Sequence, residues 1–176
     1  MATLHTIGHS TRSLDELVSA LKAHGIETLV DIRAFPMSRR LPQFNRESLE
    51  RSLPEHGIRY LRMKALGGYR KATGKDSPHT ALRNASFRNY ADYTLTPEFE
   101  QAASELIQIA SGSRTAYMCA ERMYFRCHRM IVSDWLVAHG HEILHIDAEG
   151  PPRPHKLLPE ARMIDGQVIY RGGELF

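Results

Sequence analysis

Short apolar runs rich in β-branched residues alternate with segments whose apolar residues recur at helical spacing, from LHTIG (4–8) to EILHID (142–147). Parallel strands cannot be joined by a tight hairpin and need a crossover, usually a helix, so this alternation predicts an α/β fold with a mostly parallel sheet. The first helix is expected through Leu14, Leu17, Val18 and Leu21, with Ser13 as its cap and Gly25 as its stop. TLVDIR (28–33) reads as a buried strand, Arg46 to Pro54 as a short helix, and HGIRYLRM (56–63) as the third strand. A helix is expected from Pro97 to Ser111, a fourth strand over Arg114 to Cys119, and a further helix over His128 to His139, ended by Gly140.

This pattern gives a three-layer domain of about five strands flanked by helices, occupying residues 1–147. Residues 148–176 form a tail, packed on the same domain, in which Asp165-Gly166 within MIDGQVIY signals a two-residue hairpin turn. The glycines, lysines and polar residues between Lys64 and Ala85 predict a long exposed connection. At 176 residues and 42% hydrophobic content the chain suits one core and therefore one principal site.

No apolar run is long enough to cross a bilayer, and MATLHTIGHS lacks the sections of a signal peptide. A cytoplasmic protein with no membrane partner is the expectation. Two cysteines exclude a multi-bridge disulfide scaffold and leave thiol, metal-bound or redox-active states. The net charge of +3 conceals an asymmetry: Arg33 to Arg88 holds 13 Lys or Arg against 4 acids, hence +9, and the remainder carries −6. Such a segment attracts phosphates or nucleic acid, or is simply a solvated charged face.

Ligands in open parallel sheets bind beyond the carboxyl ends of the strands. Here the predicted strands end in Gly8-His9-Ser10, in Asp31 and Arg33, in Lys64 and Gly67-Gly68, in Cys119 and Glu121, and in His145 and Asp147. Five such endings with titratable or cationic groups suggest a common crevice. Plainer readings exist as well: Asp31 caps or pairs with Arg33, Glu121 clamps Arg129 or Arg33, His145 is a half-buried strand residue, and the two glycines make a turn.

CAERMYFRCHR (119–129) is the sharpest feature. A cysteine that leaves a strand ahead of a helix N-terminus, among Arg122, Arg126 and Arg129, is favoured as thiolate. Phosphatase and rhodanese loops use a cysteine at a similar strand-to-helix turn, but Cys119 to Arg126 spans one residue more than the phosphatase signature. Cys127 is a resolving thiol, a ligand or a buried small residue. Metal binding by Cys119, Glu121, Cys127, His128 or His9 is the other chemistry, although adjacent Cys127 and His128 on a helix point about 100° apart. Arg33, Ser38, Arg39 and Arg40 in the loop around FPMSRRLPQF suit anion recognition. Met123, Tyr124 and Phe125, with Tyr69, Tyr90 and Tyr93, are candidates for stacking on a base.

Taken in order, TIGHS, LVDIRAFPMSRRLPQFN, YLRMKALGG, MCAERMYFRCHR and HEILHI resemble the bacterial domain-of-unknown-function 488 family over about Thr6 to Ile146. The resemblance implies Gly8, His9, Ser10, Asp31, Arg33, Pro36, Ser38, Leu66, Gly67, Gly68, Cys119, Glu121, Cys127, His128 and Arg129 as the family's positions, and a loose association with DNA repair.

The leading expectation is an enzyme acting on a phosphate-containing substrate, such as a nucleotide or nucleic acid. Cys119 would be the nucleophile and Glu121 or His128 the proton-transfer group. His9, Ser10, Asp31, Arg33, Ser38, Arg39, Lys64, Gly67, Gly68 and Arg129 would bind substrate or anion. The alternatives are a non-catalytic nucleic-acid-binding or repair accessory module, and a metal-dependent hydrolase or redox sensor.

Overall fold

A computed structural model describes residues 1–172. The strands β1 (Thr3–Gly8), β2 (Thr28–Asp31), β3 (Arg59–Arg62), β4 (Thr115–Cys119) and β5 (Glu142–Ile146) lie parallel in one sheet. A two-residue β6 (Arg153–Pro154) adds an antiparallel edge, so the order is β3-β2-β4-β1-β5-β6. The tail hairpin, β7 (Ala161–Ile164) and β8 (Gln167–Tyr170), turns at Asp165 and Gly166. Both turn residues have positive φ, 51° and 79°, as a hairpin matched to strand twist requires.

Helices α1 (Leu14–Ala23) and α2 (Arg46–Glu55) cover one face of the sheet. Leu17, Leu21, Leu49 and Leu53 pack there against Ile7 and Leu29. The Ser13 hydroxyl accepts from the Glu16 amide, and the Glu16 carboxylate accepts from the Ser13 amide, which closes the first turn of α1. The other face carries α3 (Ala85–Tyr93), α4 (Pro97–Gly112) and α5 (Arg129–Ala138), and Val168 and Tyr170 of β8 join their core. The fold is therefore the expected α/β layering with a hairpin attached. Among the described residues no helix is long and apolar enough to cross a membrane.

Two features differ from the expectation. The edge strand β6 is too short to leave a periodic signal. Helix α3 begins where the expected exposed connection ends, in residues for which the sequence predicts no element; its Asn84 cap accepts from the Phe87 amide, and Tyr90 and Tyr93 are buried. Their hydroxyls donate to the carbonyls of Leu66 and Ala65, which makes them part of the core and removes them as stacking surfaces.

The topology determines where a site can lie. Strand β4 sits between β2 and β1. The chain leaves β1 and β2 toward the α1/α2 face but leaves β4 toward α5 on the opposite face. Loops that diverge in this way open a crevice at the carboxyl end of β4, and Cys119 is the last residue of that strand.

Candidate functional site

A cleft of about 390 Å³ opens at that point. Cys119, Cys127 and His128 lie in it, Phe35, Tyr69 and Phe87 supply aromatic walls, and Glu121 and Arg126 reach it from the loop after β4. Gly8 lets β1 and this loop approach, because a Cβ there would overlap the Glu121 carbonyl. The amides of His9 and Ser10 donate to the carbonyls of Cys119 and Ala120, each at 2.9 Å, and so carry the β1–β4 pairing past the strand ends. Ser10 adopts a positive φ of 52° to do so.

The residues between Cys119 and α5 hold a short 3-10 turn, Tyr124–Arg126, so the helix N-terminus faces Cys127 and not Cys119. Cys127 Sγ accepts from the Arg129 amide at 3.4 Å and lies 2.9 Å from Cys119 Sγ. Each sulfur also approaches a carbonyl, Cys119 that of Glu121 at 3.6 Å and Cys127 that of Tyr124 at 3.7 Å. Burial, then the neighbouring sulfur, push the Cys119 thiol well above its ordinary value. The hydrogen bond from Cys119, together with the Arg129 guanidinium, brings Cys127 down to about 6 against the cost of burial. Both cysteines are free thiols.

Arg129 is 1% exposed. It donates to Thr6 Oγ1 at 3.1 Å and to the carbonyls of Glu121 and Arg122, while its Nε has no partner. Among the described residues no carboxylate pairs with it. A buried cation without a carboxylate is costly, and the nearby groups whose negative charge would offset it are the two sulfurs, Cys119 and Cys127.

Several expected groups are already engaged. Arg33 forms a buried ion pair with Asp31, at 2.6 Å, and also donates to the Phe44 carbonyl. Its remaining amino group donates to His9 Nε2 at 3.3 Å, while His9 Nδ1 donates to the Ser10 carbonyl. Burial lowers His9 to about 4, so the ring is neutral. His128 donates from Nε2 to the Ile32 carbonyl at 2.9 Å, and burial lowers it to about 4 as well. Gly68 lies close against that imidazole, and Gly67 against Ala34 and the Lys64 carbonyl. Ser38 shapes its own loop, its hydroxyl accepting from the amides of Arg40 and Leu41.

Arg39 lines a separate cavity beside Pro42, outside the cleft. Lys64 lines a neighbouring cavity with Arg70, and this one shares Phe35 and Tyr69 with the cleft. Glu121 is exposed, its carboxylate free of ion pairs among the described residues, so it clamps neither Arg129 nor Arg33. Among the described residues no three His, Cys, Asp or Glu side chains are grouped to hold a metal ion. Sequence reasoning passed over Phe35 and Phe87, which wall the cleft; the exposed Phe35 beside Arg33 was the available signal.

Fold and site together define a doubly wound α/β protein with a two-cysteine cleft where the loops diverge. The chain belongs to the family described as domain of unknown function DUF488, whose model matches residues 13–136. His9, Ser10 and β5 lie outside that match. The comparisons with curated proteins and with solved structures find no match.

Proposed function

We propose that the chain is a thiol-dependent enzyme of the cytoplasm, in which a Cys127 thiolate attacks a substrate that carries a flat ring and a phosphate, a nucleotide or a nucleic-acid strand. The carrying observation is Cys127 Sγ, held 2.9 Å from the Cys119 thiol and 3.4 Å from the Arg129 amide, on the wall of an open cleft. Such a site supplies a nucleophile at neutral pH without a separate base. The sulfur's electron pair forms the new bond, and the leaving group departs with the pair of the bond that breaks. Cys119, expected to attack, instead serves as hydrogen-bond donor to the attacking sulfur.

Glu121 suits proton transfer better than His128, whose Nε2 is spent on Ile32. Cleft volume and aromatic walls fit a base, with Phe35 and Tyr69 6.0 Å apart at its lip. Lys64 and Arg70 stand in the adjoining cavity, and Arg126 on the cleft wall, as cations for phosphate. Labelling with 5′-fluorosulfonylbenzoyl adenosine tests the reading. Modification of Cys127 that adenine nucleotides or a single-stranded oligonucleotide suppress is expected; labelling that none of them slows contradicts it.

A second reading rests on the same sulfur contact. A peroxide would take two electrons and the single thiol proton from the Cys119 thiol and Cys127 thiolate, its O–O bond breaking to water and hydroxide, and leave a Cys119–Cys127 disulfide that silences the thiolate. Retention of both free thiols after peroxide treatment contradicts this reading.

A further inference from the structure

Away from the cleft, a buried chain of polar side chains runs between four elements of the fold. Asp134 on α5 accepts from His155 Nε2 at 2.7 Å, from the Tyr170 hydroxyl at 2.8 Å and from the Leu158 amide at 3.3 Å. His155 Nδ1 lies 2.8 Å from His145 Nε2, His145 Nδ1 lies 2.6 Å from Thr6 Oγ1, and Thr6 Oγ1 accepts from Arg129. The four side chains from Thr6 through His145 and His155 to Asp134 are all buried.

The donor directions follow from Asp134. A carboxylate only accepts, so His155 Nε2 carries a proton and, in the neutral ring, Nδ1 accepts. His145 must then donate from Nε2, which leaves its Nδ1 to accept from the Thr6 hydroxyl. Thr6 thereby turns its oxygen lone pairs to Arg129. Burial, with His155 and Arg129 adding to it, lowers His145 to about 3, consistent with a neutral ring. Tyr124, from the loop between the cysteines, stacks on that ring at 3.8 Å with the planes 2° apart. A protonated His155 would reverse the middle bonds, giving Thr6 Oγ1 two donors and leaving its hydroxyl hydrogen without this acceptor.

We propose that Asp134, His155, His145 and Thr6 form a positioning relay that fixes the Arg129 guanidinium behind the two-cysteine cleft, between Thr6 Oγ1 and the Glu121 and Arg122 carbonyls. The proposal rests on the thiolate reading above and adds its regulation from outside the cleft. The four residues touch no substrate and act through Arg129. Besides Arg129, the titratable groups around Cys127 include Cys119 of β4 and the phenols of Tyr90 on α3 and Tyr117 on β4, and Glu121, Arg126 and His128 line the same cleft.

The test joins histidine nitrogen NMR on the wild-type protein with the pH profile of Cys127 alkylation in T6V, T6S and D134N. Both His145 and His155 are expected as neutral rings protonated at Nε2. In T6V and D134N the alkylation midpoint is expected to rise by about one unit, so that the rate at about pH 5 falls about tenfold, and T6S restores it. Either ring found protonated at Nδ1 overturns the relay, even if every variant fails to fold. A low wild-type midpoint that a folded T6V leaves in place overturns the relay alone. A wild-type midpoint near the ordinary thiol value of about 8.5 overturns the thiolate reading and the relay together.

Discussion

Cys119 Sγ and Cys127 Sγ lie 2.9 Å apart, although the first closes a buried strand and the second precedes a helix. That contact makes one sulfur the donor and the other the acceptor. C119A removes the donor, so the Cys127 alkylation midpoint should rise above about 6, whereas C119S keeps a hydroxyl donor and should fall between wild type and C119A. Equal midpoints in C119A and wild type would show that the sulfur contact does not support the thiolate.

The Asp31–Arg33 pair is buried at the head of the cleft, with Tyr60 donating a further 2.5 Å hydrogen bond to Asp31. Removing one partner leaves the other charge uncompensated, so R33A should cost about 3–5 kcal/mol in denaturant unfolding. A loss under about 1 kcal/mol would return Arg33 to the role of a free anion clamp.

Gly68 is required by close approach, since a Cβ would come within 2.4 Å of His128 Nδ1. That ring is held by the Ile32 carbonyl and packs on Tyr90 at 5.1 Å, so it cannot yield easily. G68A should destabilise by about 1–3 kcal/mol and change the cleft wall. G8A meets backbone at Glu121 and should cost more. Thermal denaturation of the two variants checks the order; G68A costing more than G8A would contradict it.

Burial lowers His9 and His128 to about 4 and His145 to about 3, from 6.5. Above 6.5 these rings are neutral in folded and unfolded chains, and their contribution to stability is fully present. As pH falls below 6.5 the unfolded chain binds protons that the folded one refuses, and stability is lost until about 4 to 3 is reached. The Tm should therefore fall between about pH 6.5 and about pH 5, before most carboxylates titrate. A flat Tm over that window contradicts neutral burial of the three histidines.

The layering and the convergence of polar residues at strand ends were open to sequence reasoning because each depends on local pattern: β-branched runs, the Ser13 and Pro97 helix starts, the Asp165-Gly166 turn. Helix α3 was hidden because its buried Tyr90 and Tyr93 sit among Arg88, Asn89 and Asp92, which weaken its apolar periodicity. The cluster around Cys119 and Cys127 was visible as a motif, but the division of labour between the sulfurs was not. It depends on α5 starting at Arg129, two residues past Cys127, and on a three-dimensional contact across eight positions. Asp134, His155 and Thr6 had no motif to mark them; only tertiary packing aligns them.

The central claim is most directly tested by alkylating the wild-type protein with iodoacetamide across pH and following each cysteine by peptide mass spectrometry. Cys127 should react with a midpoint near 6, while Cys119, 3% exposed and held as a thiol, stays unmodified over the same range. A Cys127 midpoint at or above about 8.5, or Cys119 reacting first, would contradict the account.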